Sequence, residues 1–212
     1  DISDSVVTGL ASAIQAIRYA SPGVIEEEKY EETIEPYPIR VGVFVCHCGT
    51  NIAGVADVPA LVEAAKQMPD VVHAEDLQFA CAKSSLDRIT EVIKEKKLNR
   101  VVVASCSPVT HLRFFQDAAK RAGLNPYLVE MTNIRNLDTW VHNDRKVATE
   151  KAKDMIRMAV TKAPLMKPFK PSKLGVVKRT LIIGCGPAGL AAASALASAG
   201  IDVVIVEAKD RC

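Results

Sequence analysis

From residue 40 onward, short runs of β-branched and aliphatic residues alternate with longer amphipathic stretches. The apolar runs predict four strands, at residues 41–45, 71–76, 100–104 and 126–130. The amphipathic stretches predict four helices, at residues 57–67, 84–97, 109–122 and 146–162. Strands that alternate with helices of this length form parallel sheets with right-handed crossovers. The pattern therefore predicts a small doubly wound α/β domain of about four strands over residues 39–163.

A second α/β pattern occupies residues 179–212. It begins with an apolar strand, continues through a glycine-rich turn and an alanine-rich helix, and ends in a second strand that finishes at Glu207. Residues 181–201 carry no charge and have the length of a membrane span. The turn and the two β-branched runs interrupt that stretch, so we predict a strand-helix-strand unit and no membrane span.

An amphipathic pattern over residues 5–20 predicts a helix, with Asp4 as its N-cap. Five apolar residues share one of its faces, namely Val6, Leu10, Ala13, Ile14 and Ile17. Residues 22–38 are acidic and carry three prolines, and residues 164–178 are basic and proline-bearing. We interpret these two segments as solvated linkers and place a domain boundary near residue 38.

The composition suits a globular protein, with 49% hydrophobic and 25% charged positions among 212 residues. A net charge of +2 and an aromatic content of 5% argue against nucleic-acid binding, which needs a basic surface and stacking platforms. Six cysteines and the absence of a signal peptide predict a reducing, cytoplasmic location. The chain starts at Asp1 without a methionine, so we expect it to be a piece of a longer protein.

The turn after residue 183 carries a dinucleotide-binding pattern. Gly184 permits a tight turn, Gly186 lets the backbone approach a pyrophosphate, and Gly189 lets helix and strand pack closely. Glu207, at the end of the next strand, suits a hydrogen bond to a ribose hydroxyl. The alternative is the glycine-rich turn of another α/β domain. The Gly-Pro187-Ala188-Gly form and the Ile-Val-Glu ending resemble the flavoprotein version, which binds FAD. Because only the first βαβ unit is present, we expect this chain alone to bind dinucleotide poorly.

Four cysteines follow the predicted strands of the first domain. Cys46 and Cys48 end the first strand, Cys81 lies between the second strand and the next helix, and Cys106 ends the third strand. The carboxyl ends of parallel strands share one edge, so we expect these thiols to converge there. Four thiolates suit an iron-sulfur cluster or a zinc ion, and a pair suits a dithiol switch. Unrelated core cysteines are the structural alternative.

Three further side chains belong to the same loops. His47 and His111 could replace a cysteine as ligand or bond to a cluster sulfur, although solvated loop histidines are the simpler interpretation. Arg135 could offset the negative charge of a cluster, against the simpler interpretation of a surface arginine. The sequence shows no Ser-His-Asp order, phosphate-binding P-loop or HExxH motif, so no residue is assigned a catalytic role.

The segments RVGVFVCHCGTN, NRVVVASCSPVTH and ATEKAKDMIRMAV, together with the later glycine motif, resemble the A subunit of heterodisulfide reductase. The resemblance covers roughly residues 39–210, from the amino-terminal domain of that family into its FAD domain. It implies a cytoplasmic, anaerobic iron-sulfur flavoprotein of methanogenesis, an oxidoreductase acting on disulfides. It also implies a 4Fe-4S cluster held by Cys48, Cys81 and Cys106, with Cys46 as the fourth ligand.

The same resemblance implies partners and a longer architecture. FAD in this family splits electron pairs, and the implied partners are other heterodisulfide reductase subunits, a hydrogenase or formate dehydrogenase subunit, and ferredoxin. Residues 1–21 then look like the closing helix of a preceding flavin domain in a tandem protein. We expect the fragment alone to be inactive. The competing hypothesis is a metal-free interaction module that docks partner subunits of a redox complex.

Overall fold

The computed structural model describes residues 1–20, 32, 34, 37–170 and 175–211. Most of the predicted acidic linker and residues 171–174 of the second linker lie outside the described residues. The chain divides into two compact units, of which one contains residues 37–170 and the other residues 1–20 and 175–211. Among the helices of these described ranges, none is both long and apolar enough to cross a bilayer.

The first unit is built on a four-stranded parallel sheet of order β2-β1-β3-β4. Its strands are β1 (Val41–Cys46), β2 (Val71–Leu77), β3 (Arg100–Ser105) and β4 (Val129–Asn133). All residues of the central strands β1 and β3 are buried, as expected for a parallel sheet covered on both faces. The predicted doubly wound α/β sheet is confirmed.

Helices cover this sheet, and their bounds lie close to the predicted ones. They are α2 (Thr50–Ala53), α3 (Val58–Lys66), α4 (Lys83–Glu95), α5 (Pro108–Arg121) and α6 (Arg145–Lys162). Helix α3 packs with α6, and α4 packs with α5. The side chains of Asp57, Ser107 and Asp144 cap α3, α5 and α6 by accepting backbone N–H bonds in the first turn. The short helix α2, directly after the first two cysteines, was not predicted.

The fourth strand begins three residues later than predicted. A 3₁₀ turn occupies Pro126–Leu128, where the sequence predicted the start of the strand. Asn125 Oδ1 accepts a hydrogen bond from Tyr127 N at 3.0 Å and Pro126 supplies no N–H, so the chain turns before it can join β3. The strand prediction over residues 126–130 was therefore wrong in its bounds, and the shift places Asn133 at the edge of the sheet.

A buried arginine ties β3 to the end of α6. Arg100 is 2% exposed, and its guanidinium donates to the carbonyl oxygens of Ala163 (2.9 Å), Asn99 (2.6 Å) and Met166 (3.2 Å). Two of these carbonyls, those of Ala163 and Met166, lie just after α6. Ala163 O also accepts from Met166 N at 3.2 Å, so Arg100 adds a second donor to it. Arg100 therefore fixes β3 to the segment after α6, close to the end of the first unit at Lys170.

The second unit contains the predicted strand-helix-strand unit. Strands β5 (Arg179–Ile183) and β6 (Asp202–Val206) pair in parallel, and α7 (Pro187–Ser198) connects them. Helix α7 and its flanking loops bury Ala192, Leu196 and Ile201. The Rossmann-type start of an FAD domain, predicted from the sequence, has the expected fold.

Helix α1 (Ile2–Ala20) packs against α7 within this second unit. A Cβ atom at Gly9 would lie 2.2 Å from the carbonyl oxygen of Ala188, so glycine permits the two backbones to approach. Ala13 is buried at the same interface. The helix begins earlier than predicted, because Asp1 Oδ1, rather than Asp4, accepts the first-turn N–H bond, from Asp4 N at 2.8 Å. Its assignment to a preceding flavin domain stays a prediction.

Candidate functional site

The four cysteines of the first unit lie at the carboxyl edge of its sheet. Cys46 is the last residue of β1, Cys106 follows the last residue of β3, and Cys81 lies between β2 and α4. Because β1 lies between β2 and β3, the three loops that carry these residues are neighbours. All four thiols are free, with Cys46 and Cys106 buried and Cys48 and Cys81 partly exposed. We call this edge of the sheet, with its four cysteines and the residues that contact them, the thiol edge.

Cys46 is the most enclosed thiol. Its Sγ atom accepts hydrogen bonds from the backbone N–H groups of Cys48 and Ala80, each at 3.3 Å. Burial raises the pKa of Cys46 to about 11, although both backbone donors act in the opposite direction. In the metal-free protein Cys46 is therefore a neutral thiol. Its sulfur holds together the loops after β1 and β2, which each donate one N–H bond to it.

Cys48 has an uncommon backbone conformation, with φ at 48°. Non-glycine residues rarely adopt positive φ, and such residues concentrate at functional sites. The following Gly49 also has positive φ, at 58°, and α2 begins directly after it. This turn brings Cys48 Sγ to 3.2 Å from the Arg135 guanidinium, which donates a hydrogen bond to it through Nη1.

Cys81 interacts electrostatically with each of the other three thiols. Burial raises its pKa, and the nearby Cys106 and Cys48 thiols add to that shift, whereas Arg135 lowers it. Cys46 is in turn influenced by Cys48 and Cys81. Each of the four thiols is thus close enough to at least one other for their charges to interact, so the structure brings together the cysteines predicted to converge.

The two candidate histidines differ in their contacts. His111 Nδ1 lies 3.3 Å from Cys106 Sγ and 2.6 Å from Thr110 Oγ1. His47 Nε2 lies 2.6 Å from the carboxylate of Asp76, at the end of β2. The first arrangement suits a hydrogen bond to a ligand sulfur, whereas the second already engages the imidazole with a carboxylate.

The thiols as arranged do not form a single-ion site. Within the described parts of the chain, no group of three or more His, Cys, Asp or Glu side chains could hold a metal ion. Zinc, for example, needs all its thiolates at about 2.3 Å from one point. A four-iron cluster is a larger body whose ligands stand farther apart, so convergent but separated thiols are compatible with it.

Buried polar atoms at the same edge also lack partners. Ser105 Oγ, Arg135 Nε and Asn136 Oδ1 are buried without a hydrogen-bond partner among the described residues. Ser105 is the last residue of β3, beside Cys106, and pairs in register with Asn133 of β4. Because buried polar groups are normally satisfied, these atoms support a bound polar or charged group at the thiol edge.

The dinucleotide motif of the second unit has the predicted geometry. Gly184 has φ at 99°, and a Cβ at Gly189 would lie 2.1 Å from Gly184 O. At Gly186, in contrast, a Cβ would meet nothing within 4 Å, so the turn leaves an open cradle. Gly186 caps α7 without a side-chain hydrogen bond, and Pro187 is the first helical residue. The first N–H groups of α7 are therefore free of a side-chain cap and suit a phosphate.

Glu207 reaches back to this turn. Its carboxylate accepts hydrogen bonds from Cys185 N at 2.7 Å and from Lys209 N at 3.1 Å. These backbone donors, that of Cys185 first, lower the pKa of Glu207 and keep it ionised. The structure thus brings Gly184, Gly186, Pro187, Ala188, Gly189 and Glu207 into one turn region. Their role toward FAD stays a prediction.

Two residues of the thiol edge were missed from the sequence. Trp140 lies with its ring centroid 4.7 Å from Arg135 Cζ, and its indole N–H donates to Asn51 Oδ1 at 3.2 Å. Asn51 in turn donates to the carbonyl oxygen of Cys48 at 3.1 Å. The sequence separations are too long for a motif, although the chain's one Trp close after β4 was an available signal.

The fold and these two regions define a class of protein, an α/β segment with a thiol edge followed by a dinucleotide-binding unit. Residues 178–211 match the FAD binding domain family. The chain is 49% identical over 80% of its length to the A subunit of the ferredoxin/F420H2-dependent CoB-CoM heterodisulfide reductase of Methanosarcina acetivorans, covering 21% of that relative. It is 47% identical over 85% of its length to the A subunit of the H2:CoB-CoM heterodisulfide,ferredoxin reductase of Methanothermobacter thermautotrophicus, covering 27% of it.

The second iron-sulfur A subunit of CoB-CoM heterodisulfide reductase from Methanopyrus kandleri is 48% identical over 79% of the chain, which covers 26% of that relative. Over about four fifths of its length, the chain is thus similar to heterodisulfide reductase A subunits. It spans about a quarter of the length of the curated relatives that it matches. The resemblance inferred from the sequence is thereby confirmed.

Proposed function

We propose that this chain is the part of an iron-sulfur flavoprotein that seats a 4Fe-4S cluster at the thiol edge and begins the FAD domain. The observation that carries the proposal is the convergence of four free thiols at one edge of a parallel sheet. A bound cluster would supply one-electron chemistry, and bound FAD would link it to two-electron chemistry. The proposed role is electron relay, and we assign no residue of this chain the role of acid, base or nucleophile.

Cys46, Cys48, Cys81 and Cys106 would hold the cluster. The loops hold these side chains by backbone contacts: Cys46 Sγ accepts from Ala80 N, and His47 N donates to Leu77 O at 2.8 Å. The second bond joins the ends of β1 and β2 and fixes the loop that carries Cys48. Cys46 must lose its proton on cluster assembly, since a ligand is a thiolate.

Gly184, Gly186, Pro187, Ala188 and Gly189 would hold the FAD pyrophosphate, and Glu207 would bind its ribose. The open cradle at Gly186 and the uncapped start of α7 support this part of the proposal. Each carboxylate oxygen has two lone pairs, so Glu207 can accept from a ribose hydroxyl while it keeps its bond to Cys185 N.

The partners extend the same proposal. The names of two relatives mention ferredoxin together with F420H2 or H2. We propose a cytoplasmic complex in which other heterodisulfide reductase subunits, a hydrogenase or formate dehydrogenase subunit, and ferredoxin exchange electrons with this protein, and in which FAD splits electron pairs. The alternative, a metal-free docking module, makes the same cysteines packing residues.

The two cofactor sites can be separated in a protein of the relatives' full length, purified without oxygen. FAD is measured by absorbance, and reduced clusters by electron paramagnetic resonance (EPR) after dithionite addition. Cys81→Ser is expected to remove one cluster signal and to leave FAD bound, whereas Glu207→Gln is expected to weaken FAD binding and to leave that signal. A Cys81→Ser protein with every signal of the wild type would favour the docking module.

A further inference from the structure

Three side chains, those of Arg135, Trp140 and Asn51, form a closed chain of contacts with Cys48. Arg135 Nη1 donates to Cys48 Sγ at 3.2 Å, and the Arg135 guanidinium lies 4.7 Å from the Trp140 ring centroid. Trp140 Nε1 donates to Asn51 Oδ1 at 3.2 Å, and Asn51 Nδ2 donates to Cys48 O at 3.1 Å. Both the sulfur and the backbone of Cys48 are thus connected to the same arginine-tryptophan pair.

A π-helical turn places the Arg135 guanidinium over the Trp140 ring. Arg135–Thr139 is a π-helix that directly follows Ile134, and Trp140 N donates to Arg135 O at 2.9 Å. In an α-helix, residues five apart point about 140° away from each other. The i→i+5 bond of a π-turn instead brings such residues to one side, and π-turns occur frequently at functional sites.

The charge of Arg135 is directed to the thiols. Among the described residues, the Arg135 Nε atom has no hydrogen-bond partner. Its Nη1 atom donates to Cys48 Sγ at 3.2 Å. The positive charge of Arg135 therefore lies next to the sulfur of Cys48.

We propose that Arg135, held in place by Trp140, is a positioning residue that raises the reduction potential of the cluster bound at the thiol edge. This inference rests on the proposed function. A reduced cluster carries one more negative charge than an oxidised one, and both a nearby cation and an N–H donor to a ligand sulfur favour the more negative state. Trp140 fixes the guanidinium through a cation-π contact, and Asn51 fixes Trp140.

The test is an EPR-monitored redox titration of the 212-residue chain prepared without oxygen. The couple is a one-electron change in which dithionite supplies the electron, and no covalent bond of the protein forms or breaks. Arg135→Gln is expected to lower the midpoint potential at unchanged iron content. Arg135→Lys, which keeps the charge and loses the planar stacking, is expected to lie between Arg135→Gln and the wild type. Arg157→Gln, an exposed change on α6, serves as the control without a shift.

A second pair of variants covers the case in which Arg135→Gln fails to load iron. Trp140→Phe keeps an aromatic ring under the guanidinium, whereas Trp140→Ala removes it. A lower midpoint potential in Trp140→Ala than in Trp140→Phe supports the inference, and equal potentials overturn it. A wild-type midpoint in iron-loaded Arg135→Gln also overturns it. If the wild-type chain binds no iron, the proposed function fails and the inference falls with it.

Discussion

The backbone N–H of Ala80 donates to Cys46 Sγ at 3.3 Å and so links the loop after β2 to the end of β1. A second donor, Cys48 N, approaches the same sulfur. A buried thiol with two backbone donors is prepared to carry negative charge once a metal replaces its proton. Without metal, burial dominates and the thiol stays protonated, with its pKa raised to about 11.

The first prediction concerns thiol reactivity in the metal-free chain. At pH 8 only about one Cys46 in a thousand is ionised, roughly a hundredfold less than for a thiol with the ordinary value of 9.0. We expect iodoacetamide to modify the partly exposed Cys48 long before Cys46, and the rate at Cys46 to rise about tenfold per pH unit from about pH 8 to 10. Peptide mass spectrometry measures both rates. Equal labelling of the two residues at pH 8 contradicts the buried, protonated state.

The second prediction concerns the buried guanidinium of Arg100. Arg100→Met keeps much of the volume but removes three guanidinium hydrogen bonds to backbone carbonyls. We expect a loss of about 3 kcal/mol or more in the free energy of unfolding, since each charge-assisted bond contributes about 1.5–3 kcal/mol. Urea denaturation measures it. Arg157→Met removes an exposed arginine from α6 and should change the stability by less than about 0.5 kcal/mol. Similar losses in both variants would argue against this role.

The third prediction concerns Asp138, in the π-helical turn. The residue is fully buried, and neither carboxylate oxygen has a hydrogen-bond partner among the described residues. Burial raises its pKa, while His142, 3.9 Å away, and Lys151 act in the opposite direction. The folded state therefore binds the proton more tightly than the unfolded state. The stability of the wild type should rise as pH falls through the raised pKa toward the unfolded value near about 3.9.

Asp138→Asn removes the buried charge, so we expect it to stabilise the chain at pH 7 by about 1 kcal/mol. The advantage over the wild type should shrink on acidification, because the wild type becomes neutral as well. Urea denaturation between about pH 4 and 7 follows the difference. Asp117→Asn, at an exposed position of α5, should show no such trend. An Asp138→Asn protein less stable than the wild type at pH 7 would show that the ionised carboxylate is favourable.

The fourth prediction compares two glycines of the dinucleotide turn. In Gly189→Ala the new Cβ would lie 2.1 Å from Gly184 O, so α7 must move and we expect a loss of about 1–3 kcal/mol in unfolding free energy. In Gly186→Ala the new Cβ has open space, so the stability should be unchanged. In a full-length protein, however, that methyl group would occupy the place of the pyrophosphate and weaken FAD binding. Unchanged FAD affinity in Gly186→Ala would contradict the assignment of the cradle.

Much of the fold follows from the sequence, because the alternation of β-branched runs with amphipathic stretches determines the order of the elements. The convergence of the cysteines also followed from topology alone, since three parallel strands end at one edge. The start of β4 was misplaced because Pro126 and the Asn125 side chain form a local turn, and this effect outweighs the β propensity of the following residues.

The side-chain contacts around Cys48 could not be predicted from the sequence. Arg135 and Cys48 are 87 residues apart, and their contact depends on a π-turn that no periodicity indicates. The predicted apolar face of α1 was wrong in part, because Leu10 and Ile14 are exposed. The helix contacts α7 through the close approach at Gly9, beside the buried Ala13. Glycine has no side chain, so a helix-helix contact at a glycine does not appear in the hydrophobic pattern of the sequence.

The most direct test of the central claim is the iron and acid-labile sulfide content of the chain, prepared without oxygen. The wild type is expected to contain about four irons and four sulfides per chain. Cys46→Ser, Cys48→Ser, Cys81→Ser and Cys106→Ser should each lose most of both, and Cys185→Ser, in the other unit, should retain them. An iron-free wild type after reconstitution, or full iron in the four variants of the thiol edge, would contradict the claim that this edge holds a cluster.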